Sequence, residues 1–547
     1  MSRYARLFHP FRTPQGEAAT PDQVRNDAGG YVFELSDRAR LERFLVLGSD
    51  APTYYAKART LTRDNARAVL RALDADPAGT VATIIEVSRS GRAPKQSPAI
   101  FALALAAAHP KDEARAAALA ALPAVCRTGA HLFEFLAVVT ELRGWGRGLR
   151  RAVCRWYTSK DVDALAYQVL KYRQRAGFSH RDALRLAGGA MGSRSEGHDA
   201  LFRWITAGRE ALGEREVSRG ETTSRYAAVN AAALPARIGA FEALQATRRP
   251  QRAAALVREN GLTHEMVPAE LQSSRKVWDA LRVDMPMTAM LRNLGRMTSY
   301  GVLTQGSEGT RAVVARLRDG ARLQKARVHP LGVLVALNTY RSGKGVRGSL
   351  TWKPVPQIVA ALEEAFDLAF HGVEPTGKRL CLALDVSGSM GFSEIAGMTG
   401  ITPRVGSAAM ALTTMRTEEA WSICAFASEL RPVTLHPRMA LSEVIDRVSG
   451  LPFGGTDCAK PMQWALQQRL PFDGFVVYTD NETCAGREHP FEALARYRQA
   501  MGIPAKLIVV GMTATRFSIA KQDDPGMLDV VGFDAAAPRF MARFLRE

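Results

Sequence analysis

The constraint that most limits what this 547-residue chain can fold into is a change of hydrophobic period near residue 376. Before it, apolar side chains recur at i, i+3, i+4 and i+7, the spacing that gathers them on one face of a helix. Ser36 and Asp37 can cap a helix carrying Leu41, Phe44 and Leu45 and stopped by Gly48. Thr62 can cap another carrying Ala66, Val69, Leu70 and Leu73. The same period returns over 99–108, 112–121, 131–142, 147–157, 161–174, 275–282 and 286–297, with Pro and Gly between. Many short amphipathic helices on brief connections predict a helical-repeat array in the broad HEAT or armadillo sense, with degenerate repeats. A globular helical bundle fits the same periodicity.

Beyond the change, short apolar runs alternate with helical stretches. Strands are predicted over 380–384, 421–427, 474–478, 506–510 and 529–533, and helices over 405–415, 440–448 and 459–468. That order predicts a doubly wound α/β domain on a largely parallel sheet. The Pro375 and Gly377 segment is the joint, so the chain divides into a helical-repeat domain over 1–372 and an α/β domain over 373–547.

The charge divides at the same place. Residues 378–547 hold 18 basic and 18 acidic side chains. The whole excess of +19 therefore lies in 1–377, with 55 basic against 36 acidic residues. A field of that size on one domain is the footprint of a polyanion partner, foremost a nucleic acid. No run reaches the roughly 18 apolar residues of a membrane span, and the first residues lack the apolar core of a signal peptide, so a cytoplasmic protein is expected. Six scattered cysteines without metal-ligand spacing read as buried thiols.

The sharpest local signal is Asp385, Ser387 and Ser389, a carboxylate and two alternate hydroxyls directly after a predicted strand. Thr456 follows in a Gly-rich loop before a helix, and Asp480 with Glu482 lies just past another strand. In an open parallel sheet, ligands gather beyond the carboxyl ends of strands. Hydroxyl and carboxylate oxygens are hard donors, suited to Mg2+, Ca2+ or Mn2+ rather than zinc. This set resembles the metal-ion-dependent adhesion site of von Willebrand factor A domains. The resemblance implies Asp385, Ser387, Ser389 and Thr456 as metal ligands, with Asp480 binding directly or through water. It also implies an open metal position that an acidic group of a partner can fill.

Flanking words are more specific: 373–379, Gly454 to Cys458, Thr479 to Thr483, 503–509 and, upstream, Thr53 to Tyr55, Trp145 to Arg147 and Met290 to Met297. In this order they resemble the Ro60 autoantigen family in its compact bacterial form, from about residue 30 to about 535. The resemblance implies a TROVE helical-repeat ring closed by the A domain, acting as a monomer. It further implies binding of small non-coding Y RNA on the outer surface and of single-stranded ends of misfolded or structured RNAs in the basic cavity. In bacteria it implies assistance to exoribonucleases in RNA quality control, maturation or decay.

Within the basic region, Lys171 and Arg175 fall one helical turn apart, followed by His180 and Arg181. Lys171 and Arg175 match positions that the resemblance associates with Y RNA, whereas Gly188 stands where eukaryotic members carry a histidine. Arg292 and Arg296 are spaced i, i+4; Lys325 and Arg327 precede Pro330; Arg341, Lys344 and Arg347 sit in a Gly-rich loop. Such flexible basic loops suit sequence-tolerant contact with an RNA backbone. The expected protein is a non-enzymatic RNA binder with a divalent cation in its A domain. The alternative is an A-domain interaction scaffold or chaperone adaptor.

Overall fold

The computed structural model describes residues 12–49, 52–188, 195–212, 215–219, 222–226, 230–346, 348–370, 373–392, 394–452 and 454–547. Between Asp37 and Leu368 the described residues form eighteen α-helices. Each packs on near neighbours in the chain: Ser97–Ala108 lies against both Asp112–Val125 and Gly129–Arg143, and Pro356–Leu368 against Pro330–Arg341. Helix Arg147–Thr158 shows why. It buries Leu149, Val153, Trp156 and Tyr157 while Arg147, Arg150, Arg151 and Arg155 stay in solvent. Each such large apolar side chain taken from water contributes about 1.5–3 kcal/mol.

The A domain is a six-stranded sheet in the order Met527–Val531, Lys506–Gly511, Gly474–Thr479, Leu380–Asp385, Trp421–Phe426, Leu430–Pro432. All neighbours are parallel except the last pair. Strands Leu380–Asp385 and Gly474–Thr479 are buried at every position, as expected when helices cover both faces. Leu382, Leu384, Val476 and Tyr478 join a core continuous with the helical region, while Cys381, Ala383, Phe475 and Val477 point to the opposite core. The predicted strands and helices of this domain match the observed ones to within two residues at either end.

Both ends of the helical region are fastened to the A domain. Arg43, 1 % exposed in helix Asp37–Leu47, pairs with Asp529 at 2.5 Å and donates to the Thr515 and Phe517 carbonyls. At the other end, Asp367 pairs with Arg416 and accepts from the Thr413 hydroxyl. Arg92 pairs with Asp534, and His329 Nε2 lies 2.9 Å from the Arg92 carbonyl oxygen. The early and late helices thus meet each other and the A domain at one place.

Three features depart from the sequence-based expectations. Thr62 lies inside helix Ala58–Ala75 rather than at its start. Helix Val162–Lys171 stops three residues earlier than its periodicity predicts, because Gln174–Arg175 turns back at Ala176 and Gly177 (φ 49° and 80°) to pair with Phe178–Ser179. Lys171 and Arg175 are therefore not on one helical face. Lastly, Gln23–Arg25 and Tyr31–Glu34 form an antiparallel hairpin whose second strand also pairs with Phe517–Ser518, so residues near the start of the chain add to the last domain.

Candidate nucleic-acid interface and candidate metal centre

A cavity of about 1700 Å3 is walled by segments from across the helical region, from Ser88 through Arg127, Lys171 and Arg292 to Trp352, and by Met398 and Thr399 of the A domain. Its lining carries eight basic side chains: Lys95, Arg127, Lys171, Arg173, Arg175, Arg292, Arg296 and Arg327. Among the described lining residues Glu134 is the one acid. Arg292 and Arg296 project from helix Met287–Ser299, whose other face buries Met290, Leu294 and Met297. Gly295 sits between them because a Cβ there would strike the Trp352 ring, which also lines the cavity. Arg327 holds a left-handed backbone (φ 51°) after the short helix Gly320–Lys325, packed on Gly91 of an early helix end.

The crowding of like charge registers in the titration of its members. Burial, then the nearby Arg127 and Arg175 guanidiniums, lower His131 to about 4, so it is neutral at physiological pH. Burial, followed by Arg327 and Arg89, lowers the Arg127 pKa. Charges kept together despite mutual repulsion make a site that a polyanion relieves. Lys171 is largely enclosed, donating to the Tyr167 hydroxyl at 3.0 Å with Glu265 at 3.9 Å.

The remaining predicted RNA contacts are dispersed. His180 is 3 % exposed, its Nδ1 2.8 Å from the Tyr157 hydroxyl and its ring packed on Phe133 and Trp156. It is a core residue, and burial lowers its pKa to about 4. Arg181 is exposed but does not line the cavity; nor do Lys325, Arg341 and Lys344, all exposed. Arg341 faces Asp446 at 3.9 Å. Arg347 lies outside the described residues. Three basic cavity residues were not singled out in the sequence: Lys95, Arg127 and Arg173. Nor was a second basic face: Arg147, Arg150, Arg151 and Arg155 on one helix, beside Arg181 and Arg185 of the adjacent helix His180–Ala187, all exposed and away from the cavity lining.

In the A domain, Asp385 ends its strand fully buried and accepts from the Ser387 backbone N–H at 2.9 Å and from the Thr479 hydroxyl at 2.7 Å. The Ser387 and Ser389 hydroxyls stand 3.2 Å apart. Arg404, buried in helix Pro403–Thr417, donates to the Val386 and Ser387 carbonyls and fixes this loop. The Thr456 carbonyl accepts from the Cys484 and Ala485 N–H groups, which joins the two later loops. Ser389, Thr456 and Asp480 are each no more than 4 % exposed.

Burial, with the Asp480 charge, raises Asp385 to about 7, and burial also raises Asp480. Glu482 is raised to about 8 by burial and by Asp480. Among the described residues no ion pair reaches any of these three carboxylates. Nor do three His, Cys, Asp or Glu side chains among the described residues converge on one point, so a bound cation would rest partly on the hydroxyls. Buried carboxylates bordered by the Ser387, Ser389 and Thr479 hydroxyls fit a small hard divalent ion.

Both domains have counterparts among known proteins. The family model of the TROVE domain matches residues 24–339, and that of the Ro60 vWA domain matches residues 379–545. The chain is 44% identical over 548 residues to a protein named RNA-binding protein RO60 from Deinococcus radiodurans, covering 100% of this chain and 99% of that one. It is 36% identical to the Caenorhabditis elegans protein of the same name, over 97% of this chain and 91% of that protein. The crystal structure of the Deinococcus radiodurans RO (RSR) protein matches with a TM-score of 0.67 at 44% identity, covering 93% of this chain and 99% of that one. With both domain models matched in order and identity sustained from end to end, this chain belongs to the Ro60 family.

Proposed function

We propose that this protein is a non-enzymatic RNA-binding protein that takes single-stranded ends of structured or misfolded non-coding RNAs into its basic cavity. The observation that carries the reading is the cavity lining, eight basic side chains against one acid. The RNA-binding relatives in its family support it. Arginines spread over a concave wall contact phosphates without reading bases, and Tyr172 and Trp352 in the same wall offer rings for stacking. The exposed arginines of helix Arg147–Thr158, with Arg181 and Arg185, form a second surface for duplex RNA, and a small Y RNA is the partner we assign to it.

Asp385, Ser387, Ser389, Thr456 and Asp480 would hold Mg2+, Ca2+ or Mn2+. A bound ion would offer one open position to an acidic group, a task of binding rather than bond-breaking. In this scheme the protein acts in the cytoplasm as a monomeric ring, presenting RNA ends to an exoribonuclease for maturation or decay. No helix of the described residues is long and apolar enough to cross a membrane.

Ultraviolet crosslinking of a hairpin RNA bearing a single-stranded 3′ tail, with peptide mapping, tests the assignment. Tail crosslinks are expected in 171–175 and 292–296. Crosslinks confined to the A domain, or an absence of crosslinks, would overturn it.

A further inference from the structure

The two later loops of the metal centre, 454–458 and 479–486, are held by a residue from the opposite end of the chain. Gln15 is fully buried, and every polar position of its amide is used. Its Nε2 donates to Asp457 Oδ1 and to the Glu488 carbonyl, both at 2.8 Å. Its Oε1 accepts from the Thr483 hydroxyl at 2.6 Å and from the Gly486 N–H at 3.1 Å. Asp457 follows the candidate ligand Thr456, and Thr483 lies three residues after the candidate ligand Asp480. One side chain therefore spans both loops. Glycine at 486 is what permits it, since a Cβ there would collide with the Gln15 amide and with Asp457.

The neighbouring backbone continues the clamp. Gln15 N–H donates to the Gly486 carbonyl, and Tyr31 N–H donates to the Gln15 carbonyl, which ties the clamp to the N-terminal hairpin. Asn26 Nδ2 donates to the Thr483 carbonyl at 2.9 Å, and Ala28 N–H to Glu482 Oε2 at 3.0 Å. Gly30 lies so close to the Thr483 carbonyl that a Cβ would not fit. The hairpin then runs through Leu35 directly into helix Asp37–Leu47, where Arg43 grips Asp529.

We infer that Gln15 is a positioning residue of the metal centre, setting the spacing of the Thr456 and Asp480 loops so that the divalent-cation affinity of the A domain depends on the N-terminal strap. This rests on the metal-binding reading given under Proposed function. Groups that orient ligands from outside the coordination shell typically change metal affinity 10- to 100-fold when removed. Gln15→Glu is the sharpest variant, because it keeps shape and the acceptor oxygen but sets a second carboxylate oxygen against Asp457.

Calorimetric titration of the full chain with Mn2+ tests the inference, using wild type, Gln15→Glu, Gln15→Ala and Thr13→Ala, with thermal midpoints measured without metal. Thr13 belongs to the same strap but contacts Glu492 rather than the loops. Both Gln15 variants are expected to bind Mn2+ roughly 10-fold or more weakly, while Thr13→Ala keeps wild-type affinity even if its midpoint falls. Equal affinity in all four proteins would overturn the positioning role, as would an equal loss in Thr13→Ala and Gln15→Ala. A wild type that binds no Mn2+ would overturn the metal reading itself and the inference with it.

Discussion

The cavity and the metal centre both gather like charges, and they do so in opposite ways. In the cavity, Arg173, Arg175, Arg292 and Arg327 keep solvent access, so repulsion is screened and the wall remains able to meet a long, mobile polyanion. In the A domain, Asp385 and Asp480 are withdrawn from water, and burial raises both pKa values, joined at Asp385 by the Asp480 charge. Only a compact counter-charge could enter there. On the proposed function, the exposed site would accept many sequences, whereas the buried site would accept one ion of the right hardness. One chain would then hold an adaptable binding surface and a stringent one side by side.

The largest expected effect falls on the stringent site. Asp385→Ala should weaken Mn2+ binding at least ~100-fold, because the loss leaves hydroxyls without their central carboxylate. RNA affinity measured by fluorescence anisotropy should stay within about twofold, and a parallel loss of both would merge the two sites and break the comparison. Next is charge reversal in the cavity. The double substitution Arg292→Glu with Arg296→Glu should weaken binding of a single-stranded RNA roughly 10- to 100-fold at 0.1 M salt, leaving Mn2+ titration unchanged.

A smaller effect concerns the wall behind the cavity. The folded-state pKa of His180 is about 4, below the ordinary value of 6.5, so the unfolded chain binds the proton first as pH falls. Its contribution is intact above pH 6.5 and lost as pH drops from there toward 4. Between pH 7 and 5.5 this amounts to about 1 kcal/mol. The urea midpoint followed by tryptophan fluorescence, with Trp156 stacked on the His180 ring, should move less with pH in His180→Gln than in wild type. Smallest of all, Lys325→Ala and Lys344→Ala should change RNA affinity less than about twofold, because neither side chain lines the cavity.

How much of this was legible in the sequence depended on how local the cause was. The A-domain strands stood out because burial on both faces makes them unbroken apolar runs. Asp385, Ser387 and Ser389 stood out because one strand end places them. The hairpin Gln23–Arg25 and Tyr31–Glu34 did not, since its pairing partner Phe517–Ser518 lies nearly the whole chain away. The stop of helix Val162–Lys171 was hidden for a related reason, as Tyr172, Arg173 and Gln174 are compatible with helix and only the turn at Ala176 and Gly177 ends it.

For the basic residues, sequence clusters found the right neighbourhoods without their orientation. Arg327 lines the cavity and Lys325, two residues away, does not. His180 looks like a cation between Ser179 and Arg181, but Tyr157, Phe133 and Trp156 arrive from other helices and enclose it. Lys95 and Arg127 reach the cavity singly, so only the curvature of the repeat array reveals them.

The most direct test of the account is the salt dependence of RNA binding by the full chain. For single strands, log affinity falls against log salt by about 0.7 per phosphate neutralised. A cavity that engages several phosphates predicts a slope of several units for wild type, made shallower by about 1.4 when Arg292 and Arg296 are both changed to Ala. A flat dependence in wild type, or an identical slope in the double variant, would contradict it.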